Sequence, residues 1–358
     1  MPRHNKRRRV TTTDSAEQQP AEVVPEAGGV RRCRIKLDLA AATRFLRSNV
    51  ADETFIGGGD KLKEHHAGKS YRDILVAYLV KYNEVDPDDA DVGWVDVEYS
   101  LCKKGKKFKE LGITTGSRVY GRGGDPFELP TKLNDLLTGK FYRNWDDSKA
   151  YHRYMEGNPS ISAANKGALR SFLAAPKTVQ AAVASHYGVA GADVKTLFHR
   201  LAMNGSLAEW RKERKIPPHV QDHSLVAAFE VQMRAATEEM LRNVGAQKLA
   251  RIRAYLRSVD PEKRPDLTIK SFLLQDMEFR SREGKVKVFE DLRIAHGSLE
   301  HDGLKELTTE MSIDDDDMAR RLTQAASAAV GLDLPVELKP PVSIDYGTTN
   351  DSISSKMF

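Results

Sequence analysis

Alternation and helical periodicity divide this chain into a strand-bearing first part, a long helical middle and a mixed end. The stretch Arg34-Ile35-Lys36-Leu37-Asp38-Leu39 alternates polar and apolar residues, as does Trp94-Val95-Asp96-Val97-Glu98-Tyr99. A period of two is the mark of a half-buried strand. Between them, residues 70–83 space their apolar side chains as a helix does, behind Ser70 as N-cap, and the acidic segment 84–92 with Pro87 reads as a loop. Lys103, Lys104, Lys106, Lys107 and Lys109 read as a basic loop turning at Gly105. From about residue 160 the period lengthens to 3.6, over 164–187, 191–203, 225–257 and 268–283. Short strands are expected at Val286-Lys287-Val288-Phe289, from Gly297 to Leu304 and around Leu334–Leu338, with a helix from Met318 to Val330 before the last of these. This order predicts an α+β protein in which a mainly helical insertion interrupts a small sheet.

Composition narrows the classes. The 358 residues are 40% hydrophobic and 30% charged, which suits an ordered soluble chain. No apolar run approaches the roughly 20 residues of a membrane span, so no membrane partner is expected. Cys33 and Cys102 are too few for a disulfide framework or a four-thiolate zinc site. The net charge of +5 permits a polyanionic partner without demanding one. Residues 1–29 lack apolar periodicity and read as a disordered tail. Their run Lys6-Arg7-Arg8-Arg9 fits a nuclear localisation signal, a nucleic-acid arm or a merely solubilising tail. Nuclear or nucleic-acid-associated localisation is the expectation it supports. Residues 341–358 form a second polar tail.

Two acidic positions carry candidate chemistry. Asp146-Asp147 follows the run Phe141-Tyr142-Arg143-Asn144-Trp145, and His301-Asp302-Gly303 follows Leu299. Each looks like a carboxylate at a strand end or turn. Carboxylates brought together from distant strands can hold two Mg²⁺ ions, which take hard oxygen ligands and share them with substrate phosphates. The plain alternatives are a helix cap at Asp146 and a hairpin turn at Asp302, with Asp147 a solvated neighbour. The acidic run Asp314 to Asp317 reads as a helix start, because the helix dipole favours negative charge there.

The order of motifs adds a family resemblance. Gly116-Ser117-Arg118-Val119-Tyr120, then Glu128-Leu129-Pro130, then Asp146-Asp147-Ser148-Lys149-Ala150-Tyr151-His152-Arg153 resemble three successive motifs of the family A DNA polymerases. That family includes bacterial DNA polymerase I and, more distantly, the single-subunit phage RNA polymerases. Asp146, Ser148 and Arg153 fall on the Asp, Ser and Arg of its motif A. The segment from Lys195 to Ser206 is similar to motif B, Leu274-Gln275-Asp276-Met277-Glu278 to the later helix with a Gln near template-primer, and Leu299-Glu300-His301-Asp302-Gly303-Leu304 to motif C. The resemblance covers about residues 110–340.

The resemblance implies a polymerase-like palm sheet from 116–154 and 286–340, helical fingers from 155–285, and a thumb-like or N-terminal addition at 30–115. It implies template-directed nucleotidyl transfer on a primed DNA template, with nucleoside triphosphates and two Mg²⁺ ions as cofactors. Asp146 and Asp302 would hold the metals and Lys195 the incoming triphosphate. Arg118, Arg153, Gln275 and His301 would contact nucleic acid or substrate. The chain also departs from the pattern: Gly191 replaces the Arg four residues before the motif B Lys, Asn204 its far aromatic, Tyr151 the sugar-gating Glu, and Gly303 the Glu of motif C. Sugar choice therefore stays open between a DNA polymerase and a primase or RNA polymerase, with RNA as an alternative partner. A non-catalytic nucleic-acid-binding protein on a degenerate polymerase scaffold is the alternative from another class.

Overall fold

The computed structural model describes residues 31–57, 64–261, 264–297, 299, 303–308 and 313–340. Both tails and the candidates His301 and Asp302 lie outside the described residues. The fold is α+β, with two antiparallel sheets and a helical stretch between strands of the second.

The first sheet begins with β1 (Arg31–Asp38), whose Cys33, Ile35 and Leu37 turn inward. Asp38 then accepts from the Ala41 amide (2.8 Å) and starts α1 (Leu39–Leu46), which sequence periodicity had left unassigned. Ser70 caps α2 (Tyr71–Tyr82) by accepting from the Asp73 amide at 3.0 Å. The segment expected as a loop opens with a two-residue strand, β2 (Glu84–Val85). β3 (Val92–Leu101) is the central strand, paired with β1 from Arg31↔Tyr99 to Asp38↔Val92. The lysine run is a helix, α3 (Lys103–Glu110), not a loop. The Cys102 thiol accepts from the Gly105 amide (3.3 Å), and Phe108 buries itself by stacking on Phe272 at 4.3 Å between ring centroids. Burial of one aromatic is enough to fix a helix that composition alone disguises. β4 (Val119–Arg122) completes the sheet on the other edge of β3.

After α4 (Thr131–Thr138), β5 (Tyr142–Asp147) opens the second sheet. The helices α5 (Ala150–Gly157), α6 (Gly167–Ala174), α7 (Pro176–Tyr187), α8 (Gly191–Ala202), α9 (Leu207–Glu213), α10 (Ser224–Val244), α11 (Ala246–Val259) and α12 (Pro265–Asp291) follow. Two expected long helices are each broken. Pro176 starts α7 because a helix interior cannot accommodate it. Gly245, at φ +87°, separates α10 from α11 in a conformation other residues avoid. The strand expected at Val286–Phe289 is the last part of α12. Val286 and Phe289 are both buried three residues apart, on a helix that packs along α13 (Asp315–Val330). At the crossing, a Cβ on Gly284 would stand 2.8 Å from the Ala325 carbonyl, so the close approach requires glycine. Packing here overrides the β-branched residues' strand preference.

β6 (Gly303–Leu307) and β7 (Val336–Lys339) pair with β5 on either side, giving the order β6-β5-β7. Sheet two therefore gathers strands from both ends of the helical stretch. A large apolar core spans both sheets and most helices, and a smaller one of Phe108, Leu241, Ile252, Leu256, Ile269 and Phe272 lies under α3. No helix among the described residues is long and apolar enough to cross a membrane.

Candidate functional site

Successive strand residues face opposite sides of a sheet, and the end of β5 turns this rule into chemistry. Trp145 and Asp147 face inward. Asp147 accepts from the Tyr154 hydroxyl (2.8 Å), the Ser281 hydroxyl (2.7 Å) and the Lys285 ammonium (2.6 Å). Asp147 and Lys285 have fully buried side chains. Asp147 is thus not the solvated neighbour expected from sequence. Its charge is committed to α12 and α5. Trp145 donates to Glu306 on β6 (2.7 Å), and Arg143 donates to the same carboxylate at 2.5 Å, which locks β5 to β6.

Asp146 faces the other way, into a cleft of about 770 Å³. Its register partners are Gly303 on β6 and Glu337 on β7. Residues directly opposite in an antiparallel pair present their side chains to the same face, and Glu337 lines the same cleft. The ammonium of Lys339, diagonally placed on β7, sits on the Asp146 carboxylate. Facing elements bring Arg118 from just before β4, Lys149 and Tyr151 from the start of α5, and Lys195 and His199 from one face of α8. Lys149 takes the left-handed backbone region (φ 55°), the turn that sends the chain from β5 into α5.

α12 sets most of these positions. The Asp276 carboxylate accepts from the Thr115 and Gly116 amides (2.6 and 2.9 Å) and the Thr115 hydroxyl (2.7 Å), fixing the loop that carries Arg118. Glu278, almost fully buried, receives the Arg118 guanidinium through two bonds of 2.8 and 3.1 Å. The Tyr151 hydroxyl donates to Glu278 (3.3 Å) and accepts from Arg118. Lys270 donates to the Ala202 carbonyl (2.5 Å) and to Asn204 Oδ1 (2.7 Å), pinning the C-terminus of α8. Burial pushes the Lys270 ammonium down to about 7.

The electrostatics follow from this crowding. Burial lowers the His199 pKa, and Arg118 and Lys195 lower it further, so the imidazole is held neutral. His152 behind it is pushed down to about 4, mainly by burial. Arg118, Lys149, Lys195 and Lys339 place positive charge around the cleft, against Asp146 and Glu337 on its floor. Such a wall suits a ligand with several negative charges. The floor offers hard carboxylate oxygens, the donors Mg²⁺ takes one or two at a time while sharing the rest with water and phosphate. The residues present therefore fit that ion. No preformed group of three or more His, Cys, Asp or Glu side chains suited to a metal occurs among the described residues.

Of the residues singled out from sequence, Asp146, Lys195 and Arg118 meet in this cleft. Arg153 donates its Nε to the Ser148 carbonyl at 3.1 Å, bracing the turn after β5. Gln275 is buried in α12 and donates to the Ser271 hydroxyl at 3.1 Å. Asp302 and His301 lie outside the described residues. Sequence reasoning missed Glu337, Lys339, Lys149 and His199 as cleft residues. Two signals could have found three of them: alternation in Val336-Glu337-Leu338-Lys339 for the first two, and the helical i, i+4 relation to Lys195 for His199.

No family model matches the sequence, and no curated protein does. Among solved structures, the chain is similar to the POL domain of Pol1 from M. smegmatis in complex with DNA primer-template and dNTP, at 13% identity and a TM-score of 0.43. The alignment covers 81% of this chain and 57% of that one, so this chain spans just over half the length of the structure it matches.

Proposed function

We propose that this protein is a template-directed nucleotidyl transferase that extends a primed DNA strand, with the sheet of β5, β6 and β7 as its palm and the helices α5 to α12 as its fingers. One observation carries the reading. The pairing of β5 with β6 sets Asp146 opposite Gly303, the residue that follows Asp302 in the sequence, in the same cleft that holds Lys195 and Arg118. The start of the segment that resembles motif A, Asp146, and the end of the one that resembles motif C, Gly303-Leu304, thereby lie on neighbouring strands.

In this reading Lys195 and Lys149 bind the triphosphate and offset the charge that grows on its oxygens during transfer. The Lys195 ammonium is also the proton source for the departing pyrophosphate. Arg118 is held by Glu278, so its role is to keep a fixed positive charge and the Tyr151 ring at the cleft wall. Neutral His199 adds a polar surface beside Lys195 without repelling it. Asp146 and Asp302 would hold two Mg²⁺ ions. When bound, these would supply stabilisation of the attacking and leaving oxygens. Lys339 must leave the Asp146 carboxylate before a cation can take its place.

That ion pair also favours a second reading, a polynucleotide-binding protein without catalysis, in which Lys339 permanently neutralises Asp146. Primer extension separates the two. The full chain is given a primed DNA template, Mg²⁺ and either deoxy- or ribonucleoside triphosphates. Extension is expected with the deoxy set. Extension with the ribo set alone would reassign the protein as a primase or RNA polymerase, and no extension with either would leave the binding reading.

A further inference from the structure

We propose that the paired face of α3 and α11 is a docking surface for the phosphate backbone of a nucleic-acid duplex. The proposal takes its partner from the polynucleotide reading above but uses none of the cleft chemistry. α3 carries five lysines against one glutamate, and α11 carries Lys248, Arg251, Arg253 and Arg257 against no acidic residue. Two contacts at opposite ends show that the helices lie side by side and antiparallel. Lys104 approaches Asp260 at 3.7 Å, just past the end of α11, and Lys248 near its start donates to the Gly112 carbonyl (2.7 Å), just past the end of α3. The small core under Phe108 joins them.

Within this pair some charge is already used. Lys107 meets Glu110 at 3.1 Å, and Arg253 holds Asp266 with bonds of 2.7 and 2.8 Å. Lys103, Lys106, Lys109, Arg251 and Arg257 are exposed and form no ion pair with described residues. Five uncompensated cations on one helix pair repel one another in the free protein, and a polyanion relieves that repulsion. Lys103, Lys106 and Lys109 advance about 4.5 Å at each step along α3. A duplex carries a negative charge about every 1.7 Å of its axis, so each lysine finds a phosphate in reach.

Position supports the same partner. Six residues lead from Gly112 at the end of α3 to Arg118 in the cleft, so at most about 21 Å separates them. At about 3.4 Å per base pair, a duplex ending in the cleft reaches this face within some six pairs.

The test is fluorescence anisotropy with a labelled duplex across a salt series, comparing the parent with a variant carrying Lys103→Gln, Lys106→Gln, Lys109→Gln and Arg251→Gln. The substitutions are on exposed positions, and equal thermal melting confirms that folding is kept. Expected are binding at least about tenfold weaker at 0.1 M salt and a salt slope shallower by about 3.6, near 0.9 for each of the four lost phosphate contacts. The Lys→Arg version of the same lysines should bind like the parent. Unchanged affinity and slope would overturn the proposal, as would loss of binding to anionic phosphatidylserine vesicles with duplex binding intact. A chain that extends no primer but loses duplex affinity in this variant upholds the docking face while the transferase reading fails.

Discussion

Asp146 and Asp147 end the same strand, one facing the cleft and the other facing α12. The inward residue has three donors, one of them a fully buried lysine, so its charge is matched. The outward residue has a half-exposed lysine across a diagonal and a glutamate opposite, so its charge is exchangeable. Sequence alone ranks such neighbours by motif. The pleat ranks them by environment, because a shift of one residue reverses the face. The same contrast separates the cations. Lys285 and Lys270 are buried and fixed, whereas Lys195 and Lys149 line open space. Buried, paired charge and cleft-lining charge thus lie on opposite faces at the end of β5.

The comparison can be broken at its inward side first. Lys285→Met leaves Asp147 as a buried charge without its cation. Removal of one member of a buried pair costs about 3–5 kcal/mol, read as a lower denaturant midpoint. Asp147→Asn combined with Lys285→Met should recover much of that loss. If Lys285→Met melts like the parent, the inward face is not the structural side.

A pH titration comes next. The folded-state pKa of His152 is lowered to about 4 by burial, against an ordinary value of 6.5. As pH falls from 6.5 to 4 the unfolded chain takes up a proton that the folded one refuses. Stability must therefore rise with pH across that window and fall on acidification, by about 3 kcal/mol in all. His152→Phe should flatten this part of the profile, and an unflattened profile would place the acid sensitivity elsewhere.

The outward side predicts a smaller effect. Lys339 is half-exposed, and such pairs are worth about 0.2–1 kcal/mol. Lys339→Met should lower the Mg²⁺ concentration for half-maximal incorporation by about 1.4- to fivefold. A higher requirement would mean that the lysine supports the site and does not compete with the ion.

How much of this was legible beforehand differs between the two sides as well. Alternation revealed β1 and β3, and the motif order led to Asp146, Lys195 and Arg118, which the fold brings into one cleft. The inward network was not legible. Its residues sit on α12, where Lys270, Glu278, Arg282 and Lys285 are all buried. The 3.6 period marked residues 268–283 as helical, but nothing in it showed which charges turn inward, and the β-branched Val286 and Val288 made the last turns pass for a strand. Glu337 was missed for another reason. Alternation puts Glu337 on one face of its strand, but only the register of β7 against β5 sets it beside Asp146, and register is a long-range property.

In the proposed function Asp146 is the chemical partner of this pair and Asp147 the structural one. The most direct measurement is Mg²⁺-dependent incorporation on a primed template by Asp146→Asn, with its melting temperature recorded alongside. The account predicts a rate lower by about a thousandfold or more, equivalent to roughly 4 kcal/mol of barrier, with melting unchanged. An Asp146→Asn chain that incorporates nucleotides at the parent's rate would contradict it.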